Sequence, residues 1–63
     1  GIRLEWIQYV IDHPIREETQ SDGRVRRWAR IAAARGRYLR VVLLEDRETV
    51  HNAFFDRGFS EGA

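Results

Sequence analysis

Seven arginines fall between Arg24 and Arg40, and no acid interrupts them. The rest of the chain sets four arginines against ten acids, so a net charge of +1 conceals a strongly cationic segment in an acidic frame. All eleven cations are arginine. A guanidinium is a planar fork that binds phosphate or carboxylate bidentately and stacks on aromatic rings, which an ammonium does not do. Strand alternation places Arg24, Arg26, Trp28 and Arg30 on one face of a strand, and Tyr38 with Arg40 on one face of the next. If those faces coincide, guanidinium groups interleave with aromatic rings on one surface. Such a surface suits single-stranded RNA, whose bases stack while its phosphates pair with cations. His51 is the candidate proton-transfer group. With Arg57 beyond it, and with Tyr38 and Arg40 on the preceding strand, it has the chemistry of a metal-independent endoribonuclease: histidine as general acid or base, arginine stabilising charge on phosphorus.

Each of these features has a structural explanation as well. Arginine-only usage follows from codon bias as readily as from phosphate binding. A histidine on a strand is more often a satisfied, half-buried residue than a catalyst. Asp56-Arg57 reads first as a strand-ending turn with a local ion pair, and His13 as a residue at a helix end, where the dipole favours imidazolium.

No further chemistry is encoded. The chain has no cysteine, no zinc-type spacing, no phosphate loop and no nucleophile–base triad, so neither a metal nor another cofactor is expected. No apolar run approaches the roughly 20 residues that span a bilayer, and no signal peptide is visible. No membrane association is therefore expected, and a cytoplasmic location is the default. At 43% hydrophobic and 33% charged residues the composition is globular. Sixty-three residues allow one small domain, 1–63, which buries only about 60% of the surface its unfolded form exposes. Without disulfides or a structural metal, the missing stability is expected from tight packing, from a homo-oligomer or other partner, or from chain absent here.

The elements that would position the arginines follow from periodicity. Residues 3–12 read as a helix with Leu4, Ile7, Val10 and Ile11 on one face, stopped by Pro14. Ile2, Trp6 and Tyr9 widen its apolar arc, which predicts contact on two sides. Residues 15–21 read as a strand, Asp22-Gly23 as a two-residue hairpin turn, and 24–33 as the partner strand. Ala34-Arg35-Gly36-Arg37 is the next turn. Tyr38 to Leu44 is the best strand and is expected to be central, Glu45 to Glu48 a polar turn, and Thr49 to Phe55 the fourth strand. Residues 57–63 read as a loose tail apart from Phe59. The fold class is α+β: one N-terminal helix followed by a four-stranded antiparallel meander. A two-residue turn pairs Ser21 with Arg24, Glu18 with Arg27 and Glu17 with Trp28, so part of the arginine charge is expected to be neutralised across strands.

The order of several motifs resembles a family of small bacterial domains of unknown function related to the RelE/ParE/BrnT toxin group. These are the Gly1-Ile2 start of an amphipathic helix ending in His13-Pro14, the Asp22-Gly23 hairpin, the arginine-rich strand with Trp28, Leu39-Arg40-Val41-Val42, and Thr49-Val50 through Phe54-Phe55-Asp56-Arg57. The family's leading segment, with a histidine and a Glu-Arg pair, is not present in this sequence, which would fit a truncated domain. The resemblance implies a RelE-like fold and a toxin-like domain of a toxin–antitoxin pair, engaging RNA or the translation machinery beside a small acidic antitoxin-like partner. The alternative expectation is a non-catalytic protein-interaction or homodimerisation module.

Overall fold

Val10 is wholly buried and marks the stripe along which helix α1, Leu4–Asp12, meets the sheet. Ile2, Trp6, Ile7 and Ile11 pack around it at helical spacing. Leu4, expected on this stripe, instead lies on its flank and is 83% exposed, and Tyr9 is exposed as well. The wide apolar arc therefore meets the sheet on one side, and its flanks face outward. Glu5 in the first turn suits the positive end of the helix dipole. His13 closes the other end with its amide bonded to the Tyr9 carbonyl, one residue before Pro14.

The computed structural model describes residues 1–62; Ala63, the last residue of the expected tail, lies outside the described residues. Strands β1 (Arg16–Thr19), β2 (Val25–Ile31), β3 (Arg37–Leu43) and β4 (Val50–Phe55) form one antiparallel sheet in sequence order. The α+β meander expected from periodicity is the fold observed, with β2 and β3 inside and α1 lying across them. Val25, Ala29, Ile31, Leu39, Val41 and Leu43 are buried beneath the helix with Val10 and Ala34. Among the described residues no helix is long and apolar enough to cross a membrane.

Two local expectations are corrected. The first hairpin closes through three residues, not two. The Gly23 amide bonds to the Gln20 carbonyl, and the Gln20 amide bonds to the Arg24 carbonyl, so Ser21, Asp22 and Gly23 form the loop. Gly23 takes φ +90°, which completes a turn followed by a left-handed residue. A Cβ there would also meet the Glu45 side chain at 2.8 Å. The register accordingly moves by one residue, to Glu17↔Arg27 and Glu18↔Arg26. The second correction is at the far end of β2, where Ala32–Ala34 form a 3-10 turn instead of continuing the strand. Three alanines offer no branched side chain to hold a sheet edge. Arg35 (φ +61°) and Gly36 (φ +72°) then reverse the chain.

The shifted register joins the helix to the sheet. Arg27 shares the helix-facing side of β2 with Val25, Ala29 and Ile31, and its side chain is only 14% exposed. Its Nε donates to Glu17 at 2.8 Å, and its Nη1 donates at 3.1 Å to the Ile11 carbonyl, one of the orphan acceptors at the helix C-terminus. Arg47, in the β3–β4 connection, donates to the other oxygen of Glu17. The hydrogen bond from Arg27, with Arg47 beside it, holds the Glu17 carboxyl below the usual glutamate range. A depressed carboxyl stabilises the fold above its unfolded pKa, and that contribution is lost as pH falls through the folded value. Replacing Arg27 by alanine is expected to cost about 1–3 kcal/mol in urea unfolding, because it leaves the helix-end Ile11 carbonyl without a donor and Glu17 with Arg47 alone. The variant should also lose less stability than the parent on acidification, since the largest cause of the lowered Glu17 carboxyl goes with the arginine while Arg47 keeps part of it. Unfolding curves that superimpose at neutral pH would remove this role.

Candidate nucleic-acid interface

The register of β2 with β3 settles which side the candidate residues take. Arg26 pairs with Val42, Trp28 with Arg40 and Arg30 with Tyr38, and all of these face away from the helix. Arg24 precedes them at the start of the strand. The six candidates Arg24, Arg26, Trp28, Arg30, Tyr38 and Arg40 therefore share the face of the sheet opposite the helix.

That face is partly occupied by the chain itself. After β4, Asp56 accepts the Gly58 amide and turns the chain back, so that Phe59 stacks on Trp28 with ring centroids 5.1 Å apart and planes at 19°. Phe59 also touches Tyr38 at 5.0 Å, and Arg16 lies over its other surroundings at 5.1 Å from the ring. Trp28 is left 4% exposed, with its indole N–H donating to Asp56 at 2.9 Å. It cannot offer a ring face to a base while Phe59 is docked. Tyr38 is half-buried, its hydroxyl donating to Glu61 at 2.5 Å. That bond to a carboxylate raises the Tyr38 phenol above its ordinary range.

The arginines divide into two groups. Arg24 lies 3.8 Å from Asp22, Arg26 3.9 Å from Glu18, Arg27 2.8 Å from Glu17 and Arg40 4.0 Å from Asp56. Arg26 also approaches the Gln20 side-chain amide, whose oxygen accepts from it at 2.8 and 3.0 Å. Arg40 is held over the Phe54 ring at 4.4 Å, with its Nε buried and without a partner. Among the described residues, Arg30, Arg35, Arg37 and Arg57 have no carboxylate within 4.0 Å. Arg30 donates to the Gly36 carbonyl at 3.2 Å, packing where any Cβ on residue 36 would sit. Arg37 donates to the Ala34 carbonyl and stands 4.0 Å over the Phe55 ring.

These four share one end of the molecule. In a meander the β2–β3 connection and the segment after β4 emerge together, and both belong to this end. A depression of ≈ 340 Å³ there is lined by Arg37, Tyr38, Phe55, Asp56, Arg57 and Phe59. The opposite end carries the β1–β2 and β3–β4 connections with Asp22, Glu45, Asp46 and Glu48. Asp46 accepts from the Glu48 and Thr49 amides and the Thr49 hydroxyl, which together hold its carboxyl below the usual range.

His51 is not part of this assembly. The β3–β4 ladder steps from Val42↔Asn52 to Leu43↔Val50, a bulge that leaves His51 exposed near the acidic end. Arg57 lies beyond the other end of the same strand. The two catalytic candidates are thus separated by the length of β4, and His51 is not brought to Tyr38 and Arg40. Arg35 and Arg37 were not singled out by strand alternation, because both fall in the turn expected at 34–37; Arg37 in fact opens β3 on the helix-facing side. Their signal was proximity to Gly36, which marks the connection. Among the described residues, no three groups from His, Cys, Asp and Glu come together as a metal site.

Replacing Phe59 by alanine is expected to uncover Trp28. The measurement is tryptophan emission, which should move to longer wavelength, with a loss of about 1–2 kcal/mol in unfolding free energy. Unchanged emission would mean that the segment after β4 does not cover the indole.

Comparison with protein-family models, with curated proteins and with solved structures finds no match to this chain. What it does is therefore read from its own residues.

Proposed function

We propose that this chain is a RelE-like, toxin-type domain that holds RNA at the cationic end of its sheet, as a binding module that does not use His51 for cleavage. The observation that carries this reading is the division among the arginines. Arg30, Arg35, Arg37 and Arg57 lie around one end with no carboxylate within 4.0 Å among the described residues, beside Tyr38 and the Phe55 and Phe59 rings. Guanidinium groups without a carboxylate partner are free to pair with phosphates. Arg24 and Arg26 extend the surface toward the other end. Their ion pairs are long and exposed, of a kind worth about 0–1 kcal/mol, so a phosphate can displace the acids at small cost.

A single-stranded oligoribonucleotide carrying a fluorophore tests the reading through anisotropy titrations over a range of salt. Three to four phosphate contacts give a slope of log affinity on log salt of about −2 to −3. Changing Arg30, Arg35 and Arg57 together to alanine should reduce that slope by about 2, whereas R24A should reduce it by no more than about 0.7. Binding that does not respond to salt, or a triple variant that binds as the parent does, would overturn it. The alternative, a self-association module, is favoured by a separate observation at the β4 edge.

A further inference from the structure

The two edges of the sheet are unlike. The β1 edge is four residues long, Arg16-Glu17-Glu18-Thr19, and three of them are charged. Short, charged edges resist pairing with other chains. The β4 edge, Val50-His51-Asn52-Ala53-Phe54-Phe55, is six residues long and contains no Asp, Glu, Arg or Lys. Val50 and Phe54 are 41% and 39% exposed, and His51 and Asn52 are exposed too. The bulge at its start spares the run from Asn52 to Phe55.

The backbone of β4 is ready for a further strand. The Asp56 amide bonds to the Tyr38 carbonyl, so the alternation of an antiparallel ladder turns the main-chain groups of Phe54 and Asn52 inward to β3. Those of Ala53 and Phe55 point outward. Charge then selects the partner and its direction. Glu48 precedes β4 at the acidic end and Arg57 follows it at the cationic end, and neither side chain is paired among the described residues. A second copy laid antiparallel brings each Arg57 toward the partner's Glu48, twice by symmetry. A parallel copy would set acidic end against acidic end. An axis at Ala53, within the run that the bulge spares, pairs outward groups with outward groups and brings Arg57 beside the partner's Glu48.

We propose that β4 is a self-pairing edge, through which two copies of this chain join antiparallel about a two-fold axis at Ala53 to form one eight-stranded sheet. Both helices then lie on one side of that sheet and both arginine faces on the other. This stands apart from RNA binding, because it rests on the edge and not on the face.

Sedimentation equilibrium without RNA, over a range of concentrations, should show a mass rising toward twice 7.5 kDa. Amide exchange, measured in the same samples, should show Ala53 and Phe55 becoming protected as concentration rises. Arg57→Glu alone, or Glu48→Arg alone, should shift the association to at least tenfold higher concentration. The two changes together should restore it, which separates a broken interface from a broken fold. A chain that stays monomeric throughout would overturn the proposal. So would a dimer whose Ala53 and Phe55 amides exchange as in the monomer, or a double variant that folds and does not reassociate.

Discussion

Arg27 is a cation set inside the fold, its side chain only 14% exposed. It emerges on the helix-facing side of β2 among Val25, Ala29 and Ile31, where a charge is costly to bury without partners. Three elements meet its needs: the last turn of α1 through the Ile11 carbonyl, β1 through Glu17, and the β3–β4 connection through Arg47 on the same carboxylate. A register one residue away would set Glu18, not Glu17, across from it. The requirement that Arg27 face Glu17 agrees with the three-residue loop at Ser21–Gly23, and each makes the other consistent. In a chain of this size, one satisfied polar cluster can fix what a larger apolar core would fix elsewhere.

Asp56 plays the matching part on the other side of the sheet. It receives the Trp28 indole, faces Arg40 and turns the segment that carries Phe59 across the indole. The sheet thus has cover on both sides, a helix on one and a folded-back segment on the other. Burying Trp28 in this way removes one exposed aromatic ring and moves the open cationic surface to the end of the strands. Four arginines of the segment from Arg24 to Arg40 are drawn into ion pairs, while Arg30, Arg35 and Arg37 at the β2–β3 connection have no carboxylate within 4.0 Å among the described residues.

Much of this was legible in the residues. Helical spacing, Pro14, the Val/Leu-rich β3 and the glycine-bearing turns gave the element order. Alternation put Trp28 with Arg30 on one face of β2 and Tyr38 with Arg40 on one face of β3, while only the register of the two strands joined those faces. The loop length at Asp22-Gly23 was not legible, because two- and three-residue hairpins use the same residue pair and differ only in which flanking residue closes the ladder. The place of Leu4 was not legible either, since an apolar residue on the margin of a helical stripe is buried or exposed according to the width of what it meets. Phe59 stood out as the lone aromatic of a glycine-containing segment, but its target depends on Asp56 turning the chain, a tertiary contact with no local signal. The bulge that sets His51 apart has the same character: nothing in Val50-His51-Asn52 announces it.

The separation of charge between the two ends gives the molecule an electric moment along its strands. Its positive pole is made of guanidinium groups, which keep their protons at any pH the fold survives. Its negative pole is made of carboxylates, which do not. Acidification therefore abolishes one pole and leaves the other, converting a dipolar particle into a cationic one. Two copies about an axis normal to the sheet would cancel the in-plane moment altogether, leaving only what lies along that axis.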